Sequence, residues 1–197
     1  MRTKEVSFKD KMELGEMVRG LLPQSNCLKN HTAAAIVIPK GDDLNSGGII
    51  ISTGTNSCAP LKRNADGSLG PERFEYGEKL EECPRMAIKT GTSYELCAPV
   101  HAEVRAILNV RENALPSSAL GEFAGHLRVS EERILSVFTE KELERFKGAI
   151  LYLVGHYWAC DNCLYVAKTV GIGPERVVLD EITAKSVQAK YILNNTV

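Results

Sequence analysis

The succession of apolar runs predicts an α/β fold, a three-layer α/β/α sandwich around a central mixed sheet of about five strands. Three observations carry this expectation. Two short apolar runs containing β-branched residues, 33–38 and 49–53, flank a turn region rich in Gly and Asp, and read as a hairpin of central strands. Strand-length apolar runs recur at 149–154 and 176–179. Between and after them, residues 161–170 and 182–193 carry apolar side chains at helical spacing. Strands that alternate with helices after a hairpin place helices on the faces of a mixed sheet. A chain of 197 residues supports one core of this kind, so residues 1–197 are expected to form a single domain.

In chain order, residues 7–22 are expected to form an amphipathic helix capped by Ser7. Leu14, Val18, Leu21 and Leu22 lie on one face, and Pro23 ends it. After the hairpin, Gly54-Thr55-Asn56-Ser57 leaves the second strand as a loop. Residues 58–99 are rich in Gly, Pro and charge, with weak apolar periodicity around 76–86. A segment of that length inside a compact domain is functional or partly helical. Within 100–110, Val104, Ile107 and Leu108 give helical spacing that puts His101 and Glu103 in a first turn. Residues 113–147 read as a helical insertion. One of its helices is capped by Ser130, and the next is opened by a Thr139/Glu142 capping box. The expectation for this insertion is a solvated surface decoration, with a lid or an oligomer contact as the alternative. The run 149–154 ends at Gly155, and His156-Tyr157-Trp158-Ala159 leads into Cys160 and a helix closed by Gly171.

Composition narrows the partners. A net charge of −1 argues against long nucleic acid or an anionic membrane, while leaving room for a local basic site for a small phosphate. No apolar run reaches the roughly 18 residues that span a bilayer. The first ten residues are charged and carry no apolar signal core, so a cytoplasmic location is expected. In that compartment the six cysteines, Cys27, Cys58, Cys83, Cys97, Cys160 and Cys163, are expected as thiols or metal ligands rather than disulfides.

The chemistry concentrates in two stretches at helix starts, His101-Ala102-Glu103 and Cys160-Asp161-Asn162-Cys163. One histidine and two cysteines supply three ligands to a tetrahedral zinc and leave the fourth position to water, the arrangement of a catalytic site. Such an ion brings the pKa of its water towards 7. Glu103, two residues past the histidine, is placed to move protons without binding the metal. A Cys-x-x-Cys alone also reads as a redox pair or half of a structural zinc site. Combined with His-x-Glu it follows the zinc deaminase signature, with Ala159 standing where that signature has proline.

With these motifs the chain resembles the cytidine and deoxycytidylate deaminase superfamily, and within it the deoxycytidylate deaminases. The resemblance spans about residues 27–179 apart from the insertion. It includes Ile50-Ile51-Ser52-Thr53-Gly54-Thr55-Asn56, Glu82-Cys83-Pro84-Arg85, and the run from Glu95-Leu96-Cys97 to His101-Ala102-Glu103. It implies a cytidine deaminase-like fold, with His101, Cys160 and Cys163 binding one catalytic zinc, Glu103 as proton shuttle and Asn56 contacting the substrate sugar. It implies hydrolysis of the exocyclic amine of a pyrimidine nucleotide, dCMP to dUMP with release of ammonia, by a homo-oligomer. Arg105 stands where the family has asparagine, and reads either as a contact to a substrate phosphate or as half of a surface ion pair. Trp158, the single tryptophan, either stacks on a base or packs. These two residues and the insertion keep another amino-heterocycle open as substrate, a nucleoside, a free base such as cytosine or guanine, or an antibiotic, and a non-enzymatic zinc-stabilised binding module is the further alternative. Cys58, Cys83 and Cys97 border the long loop. They are either ligands of a second, structural zinc, which some family members hold, or buried free thiols.

Overall fold

Two sheets organise the computed structural model, which describes residues 5–88, 92–156 and 158–195, with side chains to residue 188. The chain opens with strand β1 (Val6–Phe8) and helix α1 (Lys11–Arg19), then runs through β2 (Ala33–Pro39) and β3 (Gly48–Thr55). A second sheet follows, from β4 (Ser57–Arg63), β5 (Leu69–Arg73) and β6 (Cys97–Val100), and β6 leads directly into α2 (Ala102–Leu108). Short helices α3 (Ser117–Leu120), α4 (Glu131–Ser136) and α5 (Glu140–Glu144) precede β7 (Ile150–Val154). Then come α6 (Asp161–Thr169), β8 (Val177–Leu179) and α7 (Glu181–Asn195).

The central sheet has the order β1-β3-β2-β7-β8. Its first four strands pair antiparallel and β8 joins β7 in parallel, which makes it a mixed sheet of five strands. The expected hairpin is β2 and β3, with a bulge where Ile36 faces Ser52 and Val37 faces Ile50. Both faces of the sheet are apolar. Along β2, Ala34 and Ile36 join a cluster with α2, α6 and the 113–147 segment, while Ala33, Ala35 and Val37 join another with Leu14 and Val18 of α1. β7 alternates the same way, Leu151 and Leu153 against Tyr152 and Val154. Strands buried on both faces read as continuous apolar runs, which is why these two were visible in the sequence.

Three expectations change. The first helix does not start at Ser7. Residues Val6–Phe8 pair with the edge of β3, and Asp10 is the cap, its carboxylate accepting from the Glu13 amide at 2.9 Å. The long segment 58–99 is partly strand, not helix, among its described residues. β4 pairs antiparallel with β6, Ser57 opposite Val100 and Pro60 opposite Cys97, and β5 covers the other edge of β4. The insertion is not a surface decoration. Leu120, Phe123, Ile134, Phe138 and Phe146 are buried in the cluster that holds α2 and α6, and the Phe138 and Phe146 rings meet edge-on at 5.6 Å.

Its caps form as expected. Ser130 accepts from the Arg133 amide, and Thr139 and Glu142 close a reciprocal box. Among the described residues no helix is long and apolar enough to cross a membrane.

Candidate metal centre

The site forms where the two sheets meet. β6, from the smaller sheet, ends at Val100, and His101 follows as the N-cap of α2. β7, from the middle of the larger sheet, ends at Val154, and Cys160 is the N-cap of α6. The two caps share one backbone geometry, φ/ψ of −70°/155° at His101 and −71°/158° at Cys160. Neither side chain caps its helix, so both are turned to other use. Cys163 lies one turn into α6, on the same side as Cys160.

Three contacts fix α2 against β3. Ser52 Oγ donates to the Ala106 carbonyl at 2.7 Å, and Asn109 Nδ2 to the Thr53 carbonyl at 2.8 Å. Gly54 lets the helix lie close, since a Cβ there would sit 2.7 Å from the Ala102 carbonyl oxygen. The 113–147 segment reaches the site as well. Asn162 of α6 donates to the Leu127 carbonyl at 2.9 Å. A Cβ on Gly125 would fall on the His101 ring, 2.6 Å from Cε1 and 2.8 Å from Cδ2.

The donor atoms make a nearly equilateral triangle. His101 Nδ1 is 3.3 Å from Cys163 Sγ and 3.5 Å from Cys160 Sγ, and the two sulfurs are 3.3 Å apart. Zinc bonds of about 2.0–2.3 Å at tetrahedral angles place such donors about 3.5–3.8 Å apart. The triangle is therefore within about 0.5 Å of the size a tetrahedral ion requires. Among the described residues these three form a group able to hold a metal ion, and their chemistry suits zinc. Without the ion, Cys160 is pulled down to about 4, chiefly by its hydrogen bond with Cys163, against the effect of burial. Cys163 is pushed up by the same bond and by burial. Burial opposes charge on His101, but its bond to Cys160 and the nearby Glu103 raise it. A thiolate at the start of a nine-residue helix is favoured by the helix dipole. Metal binding displaces whatever protons remain on the sulfurs.

Glu103 follows within α2, 5% exposed. Burial pushes its carboxyl up, with His101 pulling the other way. A carboxyl beside a metal triad is a group that accepts and gives protons in hydrolysis.

The triad opens into a cavity of about 220 Å³. Trp158 lines it and is 43% exposed, so it stands at the mouth and is not a packed core residue. Its ring meets His156 edge-on at 5.1 Å. Tyr157, between them in the expected loop, lies outside the described residues. Asn56 also lines the cavity, but its amide is heavily used. Oδ1 accepts from Ser25 Oγ at 2.6 Å and from the Thr32 amide at 2.9 Å, while Nδ2 donates to the Asn30 carbonyl at 2.6 Å. Asn56 thus clamps the turn between β3 and β4. Arg105 does not line this cavity. It faces a neighbouring polar one of about 250 Å³ on the far side of Asn56, and burial lowers its pKa.

The remaining cysteines approach the same cavity from the other wall, all as free thiols. Cys58 sits between Cys27 and Cys97, hydrogen-bonded to both. That bond lowers Cys27 to about 6, and burial works against it. Cys83 lines the cavity without joining this chain, and Cys27, which the sequence reading left aside, takes its place. Two cations of the cavity, Lys29 and Arg85, were also missed. Arg85 comes from the segment between β5 and β6 and Lys29 from the loop before β2, and neither placement has a local signal in the sequence. Comparison with protein families, with curated proteins and with solved structures finds no match to this chain.

Proposed function

We propose that the chain is a zinc-dependent hydrolase that deaminates a cytosine-type nucleotide, dCMP to dUMP with release of ammonia. One observation carries this: a three-donor triangle of zinc size with a buried carboxyl two residues from the histidine. A purely structural zinc takes four protein ligands and has no use for Glu103. The arrangement of helices on both faces of the sheet is compatible with the three-layer, cytidine deaminase-like fold that the motifs imply.

In this mechanism His101, Cys160 and Cys163 hold the ion, which when bound supplies a Lewis acid that acidifies water. Glu103 accepts a proton from the attacking water, delivers it to the ring nitrogen, and then serves the departing amine. Water adds at the amine-bearing carbon and the C–N bond breaks, so one water is consumed for each ammonia released. Trp158, at the mouth, offers a flat face to the base.

The test is ammonia release from dCMP, cytidine, cytosine and guanine by protein of known zinc content. Turnover of dCMP that falls by about 10²–10⁴ in Glu103→Gln, with zinc retained, is the expected result. Zinc-loaded protein that releases ammonia from none of the four overturns the proposal.

A further inference from the structure

Arg85 is the most deeply placed cation of the metal cavity, 8% exposed and drawn from the segment between β5 and β6. Its hydrogen bonding is incomplete. Among the described residues Nε is buried with no partner, and Nη1 reaches only the Cys97 carbonyl, at 3.4 Å. Among the described residues no hydrogen bond joins the guanidinium to a thiol, although its charge favours the thiolates of Cys83 and Cys97. Among the described residues no carboxylate pairs with it, and Glu103 is the single acid that lines the cavity.

The guanidinium is nonetheless held in place. It stacks on the Tyr94 ring at 4.4 Å, and Tyr94 stacks in turn on His126 with centroids 4.9 Å apart and planes 9° from parallel. Lys29 Nζ donates to the carbonyl of Arg85 at 3.1 Å and to that of Ile88. This fixes the backbone and brings a second positive charge to the same wall. A guanidinium carries five N–H donors in one plane, matched to the oxygens of a phosphate or carboxylate. A buried, stacked, underused guanidinium in a substrate-sized cavity is the receiving half of an anion contact.

We propose that Arg85 is the anion anchor of this cavity and holds the phosphate of the nucleotide substrate, with Lys29 supporting its position. This rests on the deaminase function proposed above. Arg105, which the sequence left as either a phosphate contact or half of a surface ion pair, faces the neighbouring cavity instead.

The experiment compares kcat/KM for a cytosine nucleoside 5′-monophosphate with that for the same nucleoside. It uses wild type, Arg85→Ala and Arg85→Lys, with zinc content and melting temperature as folding controls. Arg85→Ala is expected to lower the monophosphate value about 10- to 100-fold, mainly through KM, and to leave the nucleoside within about twofold. Arg85→Lys restores part of the loss. Equal loss on both substrates, or none on the monophosphate, overturns the proposal. Wild-type protein gives a second readout that needs no variant. Inorganic phosphate should bind by calorimetry and compete with the monophosphate but not with the nucleoside, and absence of phosphate binding also overturns it. If wild type deaminates neither compound, the proposed activity fails alone. Phosphate binding that is present in wild type and lost in Arg85→Ala then still identifies the anion site.

Discussion

Gly125 shows how tightly the metal site is enclosed at the scale of one residue. With no side chain, it lets the His101 ring lie where a β-carbon would otherwise stand. Gly125→Ala is therefore expected to turn the ring away from Cys160 and Cys163 and weaken zinc binding at least about tenfold, the usual scale for disturbing a ligand's support. Competition with a chromogenic chelator would measure it, and unchanged affinity would show that the ring moves freely. The four residues of the site that were legible in the sequence, His101, Glu103, Cys160 and Cys163, share a property. Spacing at a helix start sets the geometry within each pair, His101 with Glu103 and Cys160 with Cys163, so each pair is readable locally, while the fold brings the pairs together. Cys27, Lys29, Arg85 and Tyr94 belong to the same cavity but reach it by pairing between distant segments. Nothing in their immediate neighbours announces that.

At the scale of elements the same division holds. Helix caps were legible because a cap is a short-range hydrogen bond. The Thr139/Glu142 box and the Ser130 cap both stand where the sequence placed them. Glu142 does more than close its box, since it also accepts from the Glu112 amide at 2.6 Å and so ties α5 to the chain just after α2. Burial raises its carboxyl, but the bonds from the Thr139 and Glu112 amides outweigh that and hold it below its ordinary 4.5. A lowered folded-state pKa means the carboxylate stabilises the fold above about 4.5 and loses that contribution as pH falls through the folded value. Glu142→Gln is thus expected to lower stability by about 1 kcal/mol at pH 7. In urea titrations the gap from wild type should close as the pH drops below that range, and a gap independent of pH would assign the effect to packing. β4, β5 and β6 were illegible for the opposite reason. β4 carries Pro60, Lys62 and Arg63, and β6 carries Pro99. These residues do not look like strand interior until the antiparallel partner is in place.

At the scale of the whole molecule, four strands of the mixed sheet were legible, β2 and β7 from burial on both faces, while β1, read as the start of a helix, and the smaller sheet were not. The distinction bears on stability. α1, β7 and α7 are bound by Asp180, which is 3% exposed and accepts from Arg19 at 2.7 Å and from the Tyr152 hydroxyl at 2.9 Å. That half of the fold is held by packing and by this network, which uses none of the metal triad's residues. Removing zinc with a chelator should therefore lower the melting temperature while leaving the far-ultraviolet circular dichroism at 25 °C almost unchanged. The stabilisation lost is about 2.7 kcal/mol at a free-zinc concentration a hundred times Kd. Loss of secondary structure on chelation would instead place the metal among the determinants of the fold, as in small zinc domains.

The separation of the donors along the chain has a consequence in time. His101 and Cys160 are 59 residues apart, and the second follows strand β7, which pairs with β2, more than a hundred positions earlier. During synthesis the nascent chain presents one donor first and waits for α3, α4, α5 and β7 before the other two emerge. An ion at this triad would therefore be captured only after β7 and the start of α6 have emerged, with β8 still to join the sheet. Chains released before Cys160 carry one donor of the three, and the full set needs Cys163.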